Sequence, residues 1–230
     1  MRLVPLVAAA MMLALPAFAA DPVPTTISVS GEGRVEVVPD LATVSLGVTT
    51  DADTASAAMT ANSGAVAQVL DRLKAAGIEP RDVQTSGLSL GPRYDYGRGD
   101  GTPPKLLGYT VSDMVTVRVR DLAKLGGVLD GVVADGANTL NGLGFGLAED
   151  AEARDEARRR AVADARHRAE LYAGAAGVKL GRLISISEAG MSYPPMPMAE
   201  ASFAKAADVP IATGEVSIGA SVSLVYEIAE

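Results

Sequence analysis

No cysteine occurs in these 230 residues. That absence excludes disulfides, thiolate nucleophiles, thiolate metal centres and the acylated cysteine of a bacterial lipoprotein. Tryptophan is also missing and phenylalanine occurs three times, so a core must be built from Val, Leu, Ile and Ala. Histidine occurs once, as His167, and a Ser-His-Asp triad or a His-based metal site needs partners that one histidine cannot supply. There is no basic excess: 20 Lys and Arg stand against 28 Asp and Glu. A diffuse negative charge favours solubility and disfavours nucleic acid or anionic lipid as a partner. Beyond the first residues, no apolar run approaches the roughly 20 residues of a membrane span.

What is present begins with a leader. Arg2 precedes an apolar run from Leu3 to Leu15, Pro16 breaks it, and Ala17-Phe18-Ala19 places small residues at both key cleavage positions. This predicts a secretory signal peptide over residues 1–19, cut near Ala19, and hence a periplasmic, cysteine-free mature chain without a transmembrane segment. The remaining 211 residues carry 19 basic and 28 acidic side chains. A chain of that length buries about 70% of its unfolded surface in one core. Residues 20–230 are accordingly expected to form a single domain, with two small ones as the alternative.

Hydrophobic periodicity orders that domain. Ile27, Val29, Val35 and Val37 alternate with Ser28, Ser30, Glu32, Arg34 and Glu36; Pro39-Asp40 reads as a turn; Ala42, Val44, Leu46 and Val48 alternate again, predicting a hairpin. Thr54 and its neighbours supply caps for a helix carrying Met59, Val66, Val69, Leu70 and Leu73, closed by Gly77. Strands are predicted at 82–91 and around Val111–Val119, separated by the loop RYDYGRGDGTPPK. Asp121 is expected to cap a second helix with Leu122, Leu125, Val128, Leu129, Val132 and Val133 on one stripe and Gly136 at its end. A short strand, TLNGLGFGLAED, leads into a third helix, roughly 149–177. Its Ala153, Ala157, Ala161, Ala165, Ala169 and Tyr172 form a small-residue seam that could pack helix on helix. Its other face carries the i,i+4 pairs Asp155–Arg159, Glu156–Arg160 and Asp164–Arg168. The strand GRLISISEAG, a Pro/Met-rich loop near 191–210 and an alternating strand from Val216 to Ile228 complete the chain. The order is ββαββαβαββ. The fold class is α+β: a largely antiparallel mixed sheet of about seven strands with three helices on one face.

Candidate chemistry is sparse. Gly31-Glu32-Gly33 lies inside a strand, whereas a phosphate loop needs its glycines between a strand and a helix, so a bulge or a close backbone crossing is expected. Ser202-Phe-Ala-Lys205 matches S-x-x-K, and Ser112-Asp113-Met114 resembles a broken S-D-N. The order is reversed relative to penicillin-binding enzymes, and no K-T-G occurs. His167 and Arg158-Arg159-Arg160 read as a solvated helix face with acidic neighbours. Met191, Met196 and Met198 could hold Cu(I) through thioethers or be oxidised sacrificially, and could equally fill gaps in a loop. Arg98-Gly99-Asp100 is assigned no function; Tyr94 and Tyr96 beside it are placed to meet a partner or to anchor their loop. No catalytic or cofactor-binding residue is assigned.

Taken in succession, ISVSGEGRVEVVPDLATVSLGV, DVQTSGLSLGPRYDY, GYTVSDMVTVRVRDLAKLGGVLD, GANTLNGLGFGL, EARRRAVADARHRAELYAGAAGVKLGRLISISE and GEVSIGASVSLVYEI resemble the SIMPL-domain family. The resemblance includes the exported bacterial type described as periplasmic immunogenic or outer-membrane-associated. The resemblance implies an α+β domain without an established catalytic centre. It also implies association with the envelope, protection against oxidative stress, immunogenicity and, in some relatives, large hollow oligomers. The expectation is a non-enzymatic periplasmic envelope protein that acts through homo-oligomeric assembly or binding. A methionine-loop metal or oxidant binder and a hydrolase with an acid/base pair assembled only by folding are the alternatives.

Overall fold

Two long strands form where alternation predicts them, β1 over Thr26–Val37 and β2 over Leu41–Ala52, yet they do not pair with each other. In the computed structural model, which describes residues 25–96, 103–189 and 211–229, β1 pairs with the last strand and β2 with two middle ones. A two-residue hairpin needs positive φ, which Pro39-Asp40 does not supply. Asp40 instead pins the junction to a distant connection. Its N–H donates to the Gly146 carbonyl at 3.1 Å, and its carboxylate accepts the Ala148 N–H at 2.7 Å.

The remaining elements are α1 (Ala55–Ala75), β3 (Val83–Asp95), β4 (Lys105–Val119), α2 (Leu125–Ala134), β5 (Thr139–Gly146), α3 (Ala151–Ala176), β6 (Lys179–Ala189) and β7 (Val216–Ala229). The order ββαββαβαββ and the α+β class stand. The seven strands divide, however, into two wholly antiparallel sheets, β1-β7-β6 and β3-β4-β2-β5. Each sheet carries helix on one face. The division follows from Asp40: once β1 leaves β2 there, its backbone groups must be satisfied elsewhere, and β7 supplies them.

Local signals account for the helices. Thr54 caps α1, its hydroxyl accepting the Ala57 N–H at 3.2 Å. Asp121 opens a 3-10 turn at Leu122–Lys124 rather than capping α2, and it pairs with Lys124 at 3.0 Å. Gly77, Gly136 and Gly177 follow the three helices with φ of 85°, 114° and 71°, conformations that favour glycine at a helix end.

Two cores result. One joins Val44, Leu46, Val48, Val115, Val117 and Val119 of the four-stranded sheet to Val66, Val69 and Leu73 of α1 and Leu125, Val128 and Val132 of α2. The other joins Val29, Val222, Leu224 and Tyr226 of the three-stranded sheet to Ala161, Ala165 and Ala169 of α3. Among the described residues, no strand or helix of one sheet packs extensively on an element of the other.

The third helix shows why its composition matters. Ala157, Ala161, Ala165, Ala169 and Ala173 are all buried. An i,i+4 row is inclined to the helix axis, so the seam continues to Ala173, and Tyr172 falls outside it, exposed. The seam meets a strand, not another helix. It lies on Gly31 and Gly33 of β1, which share the covered face with Val29. A Cβ at Gly31 would overlap the Ala161 carbonyl and the Ala165 amide and come within 2.6 Å of the Ala165 Cβ. A Cβ at Gly33 would overlap the Ala157 carbonyl and reach 2.8 Å from the Arg160 Cβ. The paired glycines are therefore a close backbone crossing, as their position inside a strand suggested.

Candidate functional site

The sequence candidates fall into those the structure describes and those it does not. Met191, Met196, Met198, Ser202, Lys205 and Arg98-Gly99-Asp100 lie outside the described residues. Ser112 and Asp113 are consecutive in β4 and point to opposite faces. The Ser112 hydroxyl meets that of Thr49 at 3.0 Å on the face without helices, while Asp113 sits opposite Val48 on the covered one. Burial pushes the Asp113 carboxyl up, against a hydrogen bond from the Met114 amide that lowers it, and its Oδ1 has no hydrogen-bond partner among the described residues. His167 is exposed on α3.

The charged side of α3 is more than a solvated face. The Arg160 guanidinium donates to the Arg34 carbonyl at 2.7 Å, Arg168 donates to the Ser30 carbonyl at 3.0 Å, and Asp164 accepts the Glu32 amide at 2.9 Å. Four helical residues rise about 6 Å and two strand residues about 6.8 Å, so helix positions 160, 164 and 168 match strand positions 34, 32 and 30. These side chains occupy the outer edge of β1. On the other flank, Arg158 reaches Glu188 of β6 at 2.9 Å. Asp155 consequently pairs with Arg158 at 3.0 Å rather than with Arg159, which turns to Glu156 at 3.0 Å.

Two further polar clusters hold the fold. Asn62, 1% exposed, donates to the Val48 carbonyl at 2.8 Å and the Val111 carbonyl at 3.4 Å, tying α1 to β2 and β4. Asp82 is buried and receives Arg120 through two bonds of 2.8 and 2.9 Å, with Arg118 at 3.5 Å. The Arg120 hydrogen bonds outweigh desolvation and hold the Asp82 carboxyl below the ordinary aspartate range. Among the described residues, no group of three or more His, Asp or Glu is placed to hold a metal ion.

Two surfaces remain that the packed body does not account for. The first is an arm. Pairing of β2 with β4 ends at Ala52–Tyr109, but β3 and β4 continue through Arg93–Gly108, Tyr94–Leu106 and Asp95–Lys105. Leu88, Leu90, Tyr94, Tyr96, Leu106 and Leu107 are all exposed along this hairpin, Tyr96 at 71%. The Tyr94 and Tyr96 ring centroids lie 6.2 Å apart with a tilt of 56°, so the rings meet each other. The base is braced where Asp51 accepts Arg93 and Thr110, both at 2.5 Å.

The second is a cleft of about 520 Å³ between α2 and β5, walled by Leu46, Leu129, Val132, Val133, Ala137 and Leu140 with Asp130 also lining it. Neighbouring Asn138 is used structurally: its amide accepts the Thr49 N–H and donates to the Thr49 carbonyl, both at 2.8 Å. The cleft thus offers aliphatic walls and no converging acid and base. Sequence reading missed it. Its walls come from β2, α2 and the start of β5, and no local pattern in the sequence brings those together.

These features define a class: an α+β protein of two helix-backed antiparallel sheets, with apolar surfaces that its own helices leave uncovered. Within that class the chain belongs to the SIMPL family, described as a protein of unknown function (DUF541), whose profile matches residues 27–226. It is 45% identical over 226 residues to the 26 kDa periplasmic immunogenic protein of Brucella melitensis biotype 1, covering 93% of this chain and 90% of that one. It is 33% identical over 183 residues to the uncharacterized protein YggE of Escherichia coli K12, covering 80% and 73% respectively. The YggE protein of Edwardsiella ictaluri is 34% identical over 168 residues, or 73% of this chain and 70% of that one. No helix among the described residues is long and apolar enough to cross a membrane.

Proposed function

We propose that this chain is exported to the periplasm and acts there without chemistry of its own, assembling with further copies through the β3–β4 arm. The leader at residues 1–19 and the name of the Brucella relative support the location. The arm carries the rest of the proposal. Six exposed apolar side chains on a hairpin that runs past the end of β2 are a surface in want of cover. Covering the exposed part of each is worth about 1 kcal/mol, or about 6 kcal/mol for the arm before the cost of association. With an arm from each of two copies the gain is about 12 kcal/mol, and an association cost of about 6 kcal/mol leaves about 6 kcal/mol, which places self-association in the micromolar to millimolar range.

Light scattering on the mature chain, from about 1 μM to about 500 μM, tests this. The expected result is a mass above one chain that rises with concentration. A variant with Tyr94, Tyr96, Leu106 and Leu107 all replaced by Ser should stay at one chain. Wild-type protein that remains a single chain throughout refutes the proposal.

A further inference from the structure

Two antiparallel sheets present four edge strands, β1 and β6 in one and β3 and β5 in the other. Unpaired edges invite other strands, and folded proteins blunt them with bulges, charges, proline or covering groups. Three of these edges are blunted. Arg160, Asp164 and Arg168 fill the edge of β1. The strand β3 carries Pro92 and register shifts at Thr85/Gly87 and Arg93/Tyr94. Two shifts in quick succession, Leu180/Leu183 and Leu183/Ser185, break up β6.

The edge of β5 differs. From Thr139 to Gly146 it contains no charge and no proline, and beyond the single irregularity near Ser45/Leu46 its ladder to β2 runs regularly to Gly146. A Cβ at Gly142, Gly144 or Gly146 would meet nothing within 4 Å, so one face beside this edge is open. On the other face, Leu140 lies opposite Leu46 and Leu143 opposite Val44, turned toward the helix layer. The cleft opens there. Leu140 is 60% exposed and Val133 of α2 is 65% exposed, two aliphatic walls facing an unfilled space. Asp130, also lining the cleft, has no hydrogen bond or ion pair among the described residues.

We infer that the α2–β5 cleft binds an extended aliphatic segment of another polypeptide that also carries a basic side chain, added as a fifth strand along β5. Each half of the recognition has its own source. Among the described residues β5 is an edge strand, and its outer backbone groups can pair with any extended chain. Alternate side chains of that strand then fall between α2 and the sheet, where Leu129, Val133 and Leu140 favour aliphatic groups. The unpaired Asp130 carboxylate complements a Lys or Arg and disfavours an acidic segment. The cleft is separate from the β3–β4 arm, so this inference does not depend on the proposal for assembly.

The test is fluorescence anisotropy with the mature chain and a labelled, end-blocked peptide that alternates Val or Ile with Thr and contains one Arg. Three companion probes replace the Arg by Glu, methylate the amide nitrogens that would face β5, or scramble the order. The parent peptide should bind, and N-methylation or scrambling should abolish binding. Val133→Asp and Leu140→Asp should each weaken it about tenfold or more. Both positions are exposed, so these variants keep the fold, which circular dichroism checks. Asp130→Lys should reverse the preference between the Arg and Glu peptides. Failure of the parent peptide to bind at about 1 mM overturns the inference. So does equal binding to the wild type, Val133→Asp and Leu140→Asp. Binding lost in the four-Ser arm variant but kept in Val133→Asp would assign the peptide to the arm and likewise overturn it. An Asp130→Lys protein with unchanged preference between the Arg and Glu peptides overturns it too.

Discussion

Replacing Gly33 by Ala tests the central packing contact of the three-stranded sheet. The added Cβ would overlap the Ala157 carbonyl and lie 2.8 Å from the Arg160 Cβ. The obstructing carbonyl is helix backbone, so no rotamer change relieves it, and α3 must move off β1. Overpacking of this kind costs about 3 kcal/mol. Alanine recovers about 0.5–1 kcal/mol over glycine through the smaller entropy of the unfolded chain. The net loss is about 2 kcal/mol, or a fall of about 4–8 °C in Tm for a chain of this length. Gly142→Ala and Gly144→Ala are matched controls, also in strands but with nothing within 4 Å, and should melt at or slightly above the wild type. Thermal unfolding followed by circular dichroism reads the difference. Hydrogen exchange should show the loosening in α3 and not in α1, because the two helices belong to separate cores. Shrinking the helix side with Ala161→Gly should not rescue Gly33→Ala, since the clash is with backbone. A Gly33→Ala protein that melts with the wild type, or above it, would refute the close crossing.

Other perturbations test separate parts of the structure. Asn62→Ala should cost about 2 kcal/mol in urea unfolding, because it strips the donor from the Val48 and Val111 carbonyls inside the core. Asp164→Ala should speed amide exchange at Glu32 by about tenfold, and Arg160→Ala with Arg168→Ala should make the chain more prone to aggregate through β1. The folded-state pKa of Asp82 is depressed, so its stabilisation is held above the ordinary aspartate value near pH 4 and is lost as pH falls through the lower folded value. Stability curves from pH 7 to pH 2 should accordingly show a shallower acid decline in Asp82→Asn. The folded-state pKa of Asp113 is raised, which has the opposite sign: its ionised form opposes folding at neutral pH and stops doing so in acid. Asp113→Asn should raise Tm at pH 7 and leave it nearly unchanged at pH 3.

Alternation and helical spacing carried the elements into view but not their neighbours. Val29 and Val35 announce which face of β1 is covered; nothing in that pattern says that the partner is Leu224 some 195 residues away rather than Val44 across a Pro-Asp turn. Pairing depends on long-range register, and here it turns on Asp40 reaching Gly146 and Ala148. Gly31-Glu-Gly33 was legible as a bulge or a close crossing because glycine inside a strand costs stability without a compensating reason, and the structure selects the crossing. Its complement, the alanine row of α3, was legible as a seam but not as a seam for a strand. The i,i+4 rule found Glu156–Arg160 and Asp164–Arg168, then failed at Asp155–Arg159, where Arg158 turns toward Asp155 and Glu188. Tyr94 and Tyr96 were legible as residues that meet a partner or anchor their loop, and the structure shows them exposed and in contact ring to ring. The cleft was illegible, because it arises from the gap between α2 and β5, a distance that no local pattern encodes.

If a second copy of this chain covers the β3–β4 arm, an adduct formed from the arm has the mass of two chains. A photoreactive side chain placed at Tyr96 in living cells reads this directly, with Gln84 at the base of the same strand as the comparison. A discrete adduct from position 96, absent from position 84, is the predicted result. The same faint, unspecific adducts from both positions would contradict it.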